Sequence, residues 1–261
     1  MNSRIYVAMH KIMTTNMKLD DIYSPLLVGS WNKESDGINR DDIGENISNK
    51  NENYCELTGL YWIWKNSKED IVGLCHYRRF LSKRNISINS KYFLNQQDIK
   101  KYLESGKYDI ILPKKEYVRK NIETRINIAP NRKDMSILRD CIKNIYPNYL
   151  KDYDAFMKGN GQYVANVMIT KKEILNEYSK WLFDILFLVE DKMDKSDYIY
   201  DSYRKRMFGF LSERLLNVWI LHNQNKYKIK EFRLVNTQLS FTKRAINECK
   251  RVILRFIGGI L

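Results

Sequence analysis

The 261 residues include 45 Lys and Arg against 31 Asp and Glu, a net charge of +14, and 44% are hydrophobic. That apolar fraction supports a packed core and excludes a disordered chain. No window offers the ~20 apolar residues that a spanning helix needs, and the length suits one large α/β domain.

Ile5 to Met9 form an apolar run of strand type, and Pro25 to Gly29 (PLLVG) a second. Trp31 to Asn49 are polar, with Gly37 and Gly44, and read as a loop. Asn49 and Glu52 have capping-box spacing and open a helix through YCELTGLYWIWKN. That helix is apolar nearly all round and should be buried. Ile71 to Tyr77 (IVGLCHY) predict a buried strand, ending in Arg78 and Arg79. A charged helix near Gln97 to Glu104 and a short strand in YDIILP follow. Asp134 to Asn144 and Tyr149 to Met157 read as helices, Gln162 to Thr170 as a strand. Lys172 to Lys192 and Phe210 to His222 are long helices, and Ile229 to Val235 a weaker strand. This order predicts an α/β fold with a mostly parallel central sheet, flanking helices and a helical C-terminal part.

Ligands on such sheets sit at the carboxyl ends of strands. Those ends carry Met9-His10-Lys11 and His76-Tyr77-Arg78-Arg79. Along a continuing strand, His76 and Arg78 would point one way, Tyr77 and Arg79 the other. Two guanidinium groups there call for anions, and a diphosphate fits their paired donors; structural ion pairs are the alternative. Neither GxGxxG nor GxxxxGK[ST] occurs. Asp41 and Asp42 could hold Mg²⁺ or Mn²⁺ bridging phosphates, or simply be a solvated loop with Ser48 as a helix cap. Glu213, inside an apolar helix, is either paired with Arg214 or a base whose pKa burial raises. Asn166 sits mid-strand among apolar residues and needs partners, backbone or ligand. The four cysteines (Cys55, Cys75, Cys141, Cys249) form no CxxC pair, which argues against zinc and for a reducing compartment. No long apolar stretch opens the chain, so a cytoplasmic protein without signal peptide is expected. The basic charge would also suit a nucleic-acid-binding module, but no such motif is recognisable. A non-catalytic scaffold is a third reading.

Several segments carry a resemblance: DDIGENISNKNENYCELTGLYWIWKN, DIVGLCHYRRFL, NVMITKKEILNEYSKWLFDIL and RMFGFLSERLLNVWI. They resemble the small glycosyltransferases of bacterial capsule and O-antigen clusters, long described only as a domain of unknown function. Characterised relatives include galactofuranosyl- and galactosyltransferases that use UDP-activated sugars. The resemblance runs from about Ile5 to His222. It implies a compact GT-A-like nucleotide-sugar-binding domain over residues 1–240. Donor contacts are implied at Ala8, Met9, His10, Lys11, Asn46, Ser48, Asn51, Arg78 and Arg79, with His76 in the catalytic set. Acceptor contacts are implied at Gln162, Tyr163 and Asn166, and the base at Glu213. The Asp-x-Asp metal motif usual after the HYRR strand is missing, so Arg78 and Arg79 are expected to replace the metal. The implied partners are a UDP-sugar donor and a lipid-linked saccharide acceptor, without nucleic acid. Two departures concern the acceptor: no His in Asn127 to Met135, and Asn166-Val167-Met168-Ile169-Thr170 where relatives read Asn-Met-Phe-Ile-Met.

Residues 241–261 predict a basic amphipathic helix, with Lys243, Arg244, Lys250, Arg251 and Arg255 beside Val252, Ile253, Leu254, Phe256 and Ile257. It suits either an anionic inner-membrane surface or docking on the body.

Overall fold

The computed structural model describes residues 1–12, 17–31, 33, 37–125, 131–193 and 204–258. Parts of the expected Trp31 to Asn49 loop and of the Asn127 to Met135 segment, and residues 259–261, lie outside the described residues.

Strand β1 (Ser3–Met9) is covered on both faces. Tyr6 and Ala8 enter one core; Ile5, Val7 and Met9 enter the other. A strand buried on both sides reads as a continuous apolar run, as this one does. On one side β1 pairs in parallel with β2 (Tyr23–Leu27), which pairs in parallel with β3 (Asn39–Arg40). The strand expected at Pro25 to Gly29 starts and ends earlier because Gly29 turns with φ +58°. That turn lies so close to Asn51 that a Cβ would meet its Oδ1 at 2.5 Å, which only glycine tolerates.

The single helix expected after Asn49 is two helices, α1 (Asn51–Tyr54) and α2 (Leu57–Asn66). Cys55 separates them with φ 53° and ψ −130°, far from helical dihedrals, so the helix stops there. Neither helix has a side-chain N-cap bond, so the capping box is corrected.

On the other side of β1, strand β4 (Ile71–His76) runs parallel. The chain then reverses through Tyr77-Arg78 into β5 (Arg79–Ser82), with His76 opposite Arg79. The alternation expected through Arg79 therefore stops at His76. Helix α3 (Gln96–Ile99) is capped by the reciprocal pair Asn95 and Asp98. Strands β6 (Ile110–Pro113) and β7 (Glu116–Tyr117) precede α4 (Arg132–Ile145), which carries its own capping box, Asn131 with Asp134. Helix α5 (Leu150–Lys158) follows.

The strand expected over Gln162 to Thr170 is broken. Only β8 (Gly161–Gln162), paired with β7, and β9 (Met168–Lys171) are strands. Between them Ala165 and Asn166 have φ 70° and 47°. The last elements are α6 (Lys172–Lys192), α7 (Met207–His222), β10 (Ile229–Asn236) and α8 (Phe241–Gly258).

The main sheet runs β3-β2-β1-β4-β5-β10-β6-β9, and β9 also pairs with β4. Among the described residues four of its eight pairings are parallel and four antiparallel. The mostly parallel expectation is thus corrected to a mixed α/β sheet. The cause is the β4–β5 reversal and β9, which enters antiparallel between β4 and β6.

Helices α2, α4, α5, α6 and α7 cover one face, and Leu211, Leu215 and Trp219 of α7 have no exposure at all. Trp219→Ala there would cost roughly 3–5 kcal/mol. Helix α3, with Phe93 and Leu94, covers the other face. Among the described residues no helix is long and apolar enough to cross a membrane.

Candidate active site

Two cavities flank the carboxyl end of β4. The first, about 410 Å³, lies where β1, β4 and the turn after β2 end; Ala8, Asn51, His76 and Arg78 line it. Lys205 and Arg206, at the start of α7, close it. Lys205 pairs with Glu52 at 2.7 Å, and Arg206 Nε donates to Cys55 Sγ at 3.4 Å. Arg78 meets Gln238 Oε1 at 3.3 Å and its guanidinium lies 5.5 Å from the Tyr77 ring; among the described residues it has no acidic partner. His10 packs edge-on against Tyr77 at 5.4 Å. Partial burial, then the charges of Lys11, Lys33, Arg78 and Arg206, push the His10 pKa down. Glu52 and Glu56 also line this cavity, and Glu52 answers Lys205; Arg78, a guanidinium without a carboxylate among the described residues, is free to grip an anion.

The second cavity, about 310 Å³, is lined by Arg79, Glu116, Glu213, Arg233 and Arg244 among others. Glu213 Oε1 accepts from the Ala165 backbone N–H at 3.0 Å, and its other oxygen lies 3.7 Å from Arg214. Burial, and to a lesser degree the charge of Glu56, raise its pKa; Arg214, the Ala165 N–H and Arg79 oppose them. Burial thus holds this carboxyl above the ordinary glutamate range at the edge of a cavity. Arg79 has no acidic partner among the described residues.

Ala165, in the left-handed turn Ala165-Asn166, lines the second cavity and is bonded by His76 of the first. His76 Nε2 donates to the Ala165 carbonyl at 2.8 Å, which fixes its proton on Nε2. Desolvation keeps this ring neutral by lowering its pKa, against the opposing pull of Glu56, 3.9 Å away. Asn166 Nδ2 donates to Glu56 Oε1 at 2.8 Å, to Ser212 Oγ at 2.8 Å and to the Gly209 carbonyl. Asn217 of α7 donates to the Tyr163 carbonyl at 2.9 Å and accepts from its N–H at 2.7 Å. A side chain of α7 thus takes the backbone bonds a neighbouring strand would have taken, so the segment can leave the sheet. Two successive non-glycine residues at positive φ store strain of about 1–3 kcal/mol each, the kind that gathers at functional sites.

The expected site residues divide. Ala8, His10, Asn51, His76 and Arg78 meet at the first cavity, Arg79 and Glu213 at the second. Met9 faces the opposite core, because side chains alternate along β1. Lys11 is exposed and reaches the first cavity only through its charge. Asp41 is fully buried and accepts from Gly29 N, Ser30 N, Ser30 Oγ and Ser48 Oγ at 2.6–3.1 Å. Asp42 grips Arg40 through both oxygens. Asn46 bonds the Asp42 and Gly44 carbonyls. Asp41, Asp42, Asn46 and Ser48 bond within this loop and line neither cavity. Among the described residues no three His, Cys, Asp or Glu side chains gather to hold a metal. Gln162 and Tyr163 are buried away from both cavities, Tyr163 Oη donating to Glu231 at 2.8 Å. Asn166 is 5% exposed and holds the turn itself. Glu56, Lys205, Arg206, Arg233 and Arg244 were not expected at the site. Glu56 had a signal, a carboxylate inside the YCELT string; the others had none beyond their charge.

The chain is 32% identical to a solved bifunctional glycosyltransferase, WbbM, in its apo form, with a TM-score of 0.81. The match covers 91% of this chain and 46% of that one, so this chain spans less than half of that protein. No curated protein matches. The family model described as Domain of unknown function (DUF4422) matches residues 4–224, and the chain belongs to that family.

Proposed function

We propose that the chain is a glycosyltransferase moving a hexosyl group, galactofuranose or galactose, from a UDP-sugar to a saccharide acceptor of capsule or O-antigen assembly. The likeness to WbbM supports the reaction class. One observation carries the assignment of roles: Arg78, without a carboxylate partner among the described residues, lines one cavity and the partly buried Glu213 a second, and His76 of the first bonds the strained turn that lines the second.

In this reading Arg78, with Arg206 beside it, binds the donor diphosphate and stabilises the charge that develops on it as it leaves. They take the part that a metal-bound Asp-x-Asp plays elsewhere. Glu213 removes the proton from the acceptor hydroxyl, and Arg79 steadies the acceptor beside it. His76 is a positioning residue: its Nε2–H holds the Ala165 carbonyl, and that peptide segment presents the Ala165 N–H to Glu213.

The test is transfer from UDP-galactose and UDP-galactofuranose to short galactose-containing acceptors, with added Mn²⁺ or with a chelator. The expected result is turnover that survives the chelator and falls roughly 10²–10⁴-fold in Glu213→Gln. Full turnover by Glu213→Gln removes the base. A wild-type protein that binds no nucleotide returns the reading to a non-catalytic scaffold.

A further inference from the structure

Helix α8 lies beyond the residues matched by the family model. One face is docked. Glu248 receives Arg233 at 2.5 Å and Arg251 at 2.7 Å, and Arg244 Nε donates to the Ile86 carbonyl at 2.8 Å. At about 100° per residue, Arg244, Glu248 and Arg251 share that face. The opposite arc holds Ile246, Cys249, Val252, Ile253, Phe256 and Ile257, all exposed, with Ile253 at 55% and Phe256 at 70%. Six of the eleven exposed large hydrophobic residues among those described belong to this one helix. A soluble surface scatters such residues singly.

What covers the arc is indicated by its borders. Lys243 and Lys250 flank one edge of it, while Arg255 is exposed on the side of Arg244. The only acid of α8 is Glu248, which is turned to the body. The outward surface is thus apolar and cationic, with no negative charge, the pattern of a helix lying in an anionic headgroup layer. A protein partner of mixed charge would leave these cations without a matching reason for their one sign.

Arg244 and Asn247, on the docked side, also line the cavity that holds Glu213. We propose that α8 seats the protein on an anionic bilayer, and that the cavity beneath it takes acceptors whose reacting hydroxyl lies close to a lipid anchor. The helix thickness of about 10 Å sets the distance between lipid and cavity. The acceptor half rests on the transferase reading above; the bilayer half does not.

Sedimentation with vesicles, without donor or acceptor, tests the bilayer half. The wild type is expected to bind phosphatidylglycerol-containing vesicles and not purely zwitterionic ones, with binding that weakens as salt rises. Ile253→Glu/Phe256→Glu should lower the bound fraction at least about tenfold, while its thermal melt and its affinity for UDP stay unchanged. Lys243→Glu/Lys250→Glu, which leaves the apolar arc intact, should lose the preference for anionic vesicles. With an acceptor held in the vesicles, Ile253→Glu/Phe256→Glu should lose transfer but keep it on the same saccharide free in solution. Equal vesicle binding by the wild type and Ile253→Glu/Phe256→Glu overturns the proposal. So does a dimer that this substitution dissolves with no vesicle binding, which would place a second copy on the arc. If vesicle binding behaves as expected and no transfer occurs on either acceptor, the transferase reading fails and the bilayer seat stands.

Discussion

Asp41 and Glu213 are both carboxylates turned away from bulk water, and their partners separate a loop anchor from a candidate base. Asp41 satisfies four donors, two backbone and two hydroxyl. Asp41→Ala leaves the Gly29 N–H and the Ser48 hydroxyl without their acceptor, while Ser30 keeps Ser48 Oγ and Asp42, so stability should fall by about 2–4 kcal/mol. A melting curve should show Tm lower by on the order of 10 °C. Glu213 has one backbone donor and a raised pKa. A base must be deprotonated, so the acidic limb of the pH–rate profile should lie above the ordinary glutamate value of about 4.3. The stability sign is opposite to that of a salt-bridged acid. A folded pKa above the unfolded one means the folded state holds the proton more tightly. Its stabilising effect is complete below the unfolded pKa and disappears as pH rises through the folded one. At neutral pH, Glu213→Gln should therefore melt no lower than the wild type while losing activity. A lower Tm would show that the carboxylate is structural. The residue types of Glu213 and Arg78 drew attention in the sequence, because charge inside an apolar helix or at the end of an apolar strand is conspicuous. Glu56 was harder to see, since its partners Asn166 and His76 are 110 and 20 positions away.

At the scale of elements, α6 matches its periodicity at both ends, because an amphipathic helix carries its own pattern. The expected strand across 162–170 does not, because what broke it is elsewhere in the chain. Asn217 replaces the strand partner at Tyr163, and nothing near Tyr163 announces this. Cys55 is the same kind of case: a non-glycine residue at positive φ inside an apolar helical pattern. Helix α2 rests on β2 and the turn after it through Gly59, where a Cβ would meet Val28 Cγ1 at 2.9 Å and Leu26 Cδ2 at 3.1 Å. Val28 also lines the first cavity. Gly59→Val should destabilise by roughly 1–3 kcal/mol through overpacking, read as a lower urea midpoint at unchanged m-value. An unchanged midpoint would mean that helix and sheet separate freely there.

Across the whole molecule, the α/β class was legible because strands and helices alternate, whereas the mixed sheet was not. Strand direction depends on the reversal at Tyr77-Arg78 and on β9 entering between β4 and β6, neither of which hydrophobic patterning encodes. The same reversal divides the two arginines. It leaves Arg78 on one cavity and Arg79 on the other, with His76 bonded to the strained turn. The central claim is that the first of these cavities holds a nucleoside diphosphate. Calorimetric titration of UDP into the wild type, Arg78→Ala and Glu213→Gln tests it most directly. The wild type should bind UDP saturably, Glu213→Gln with equal affinity, and Arg78→Ala at least about tenfold more weakly. UDP binding by Arg78→Ala as tight as that of the wild type would contradict it.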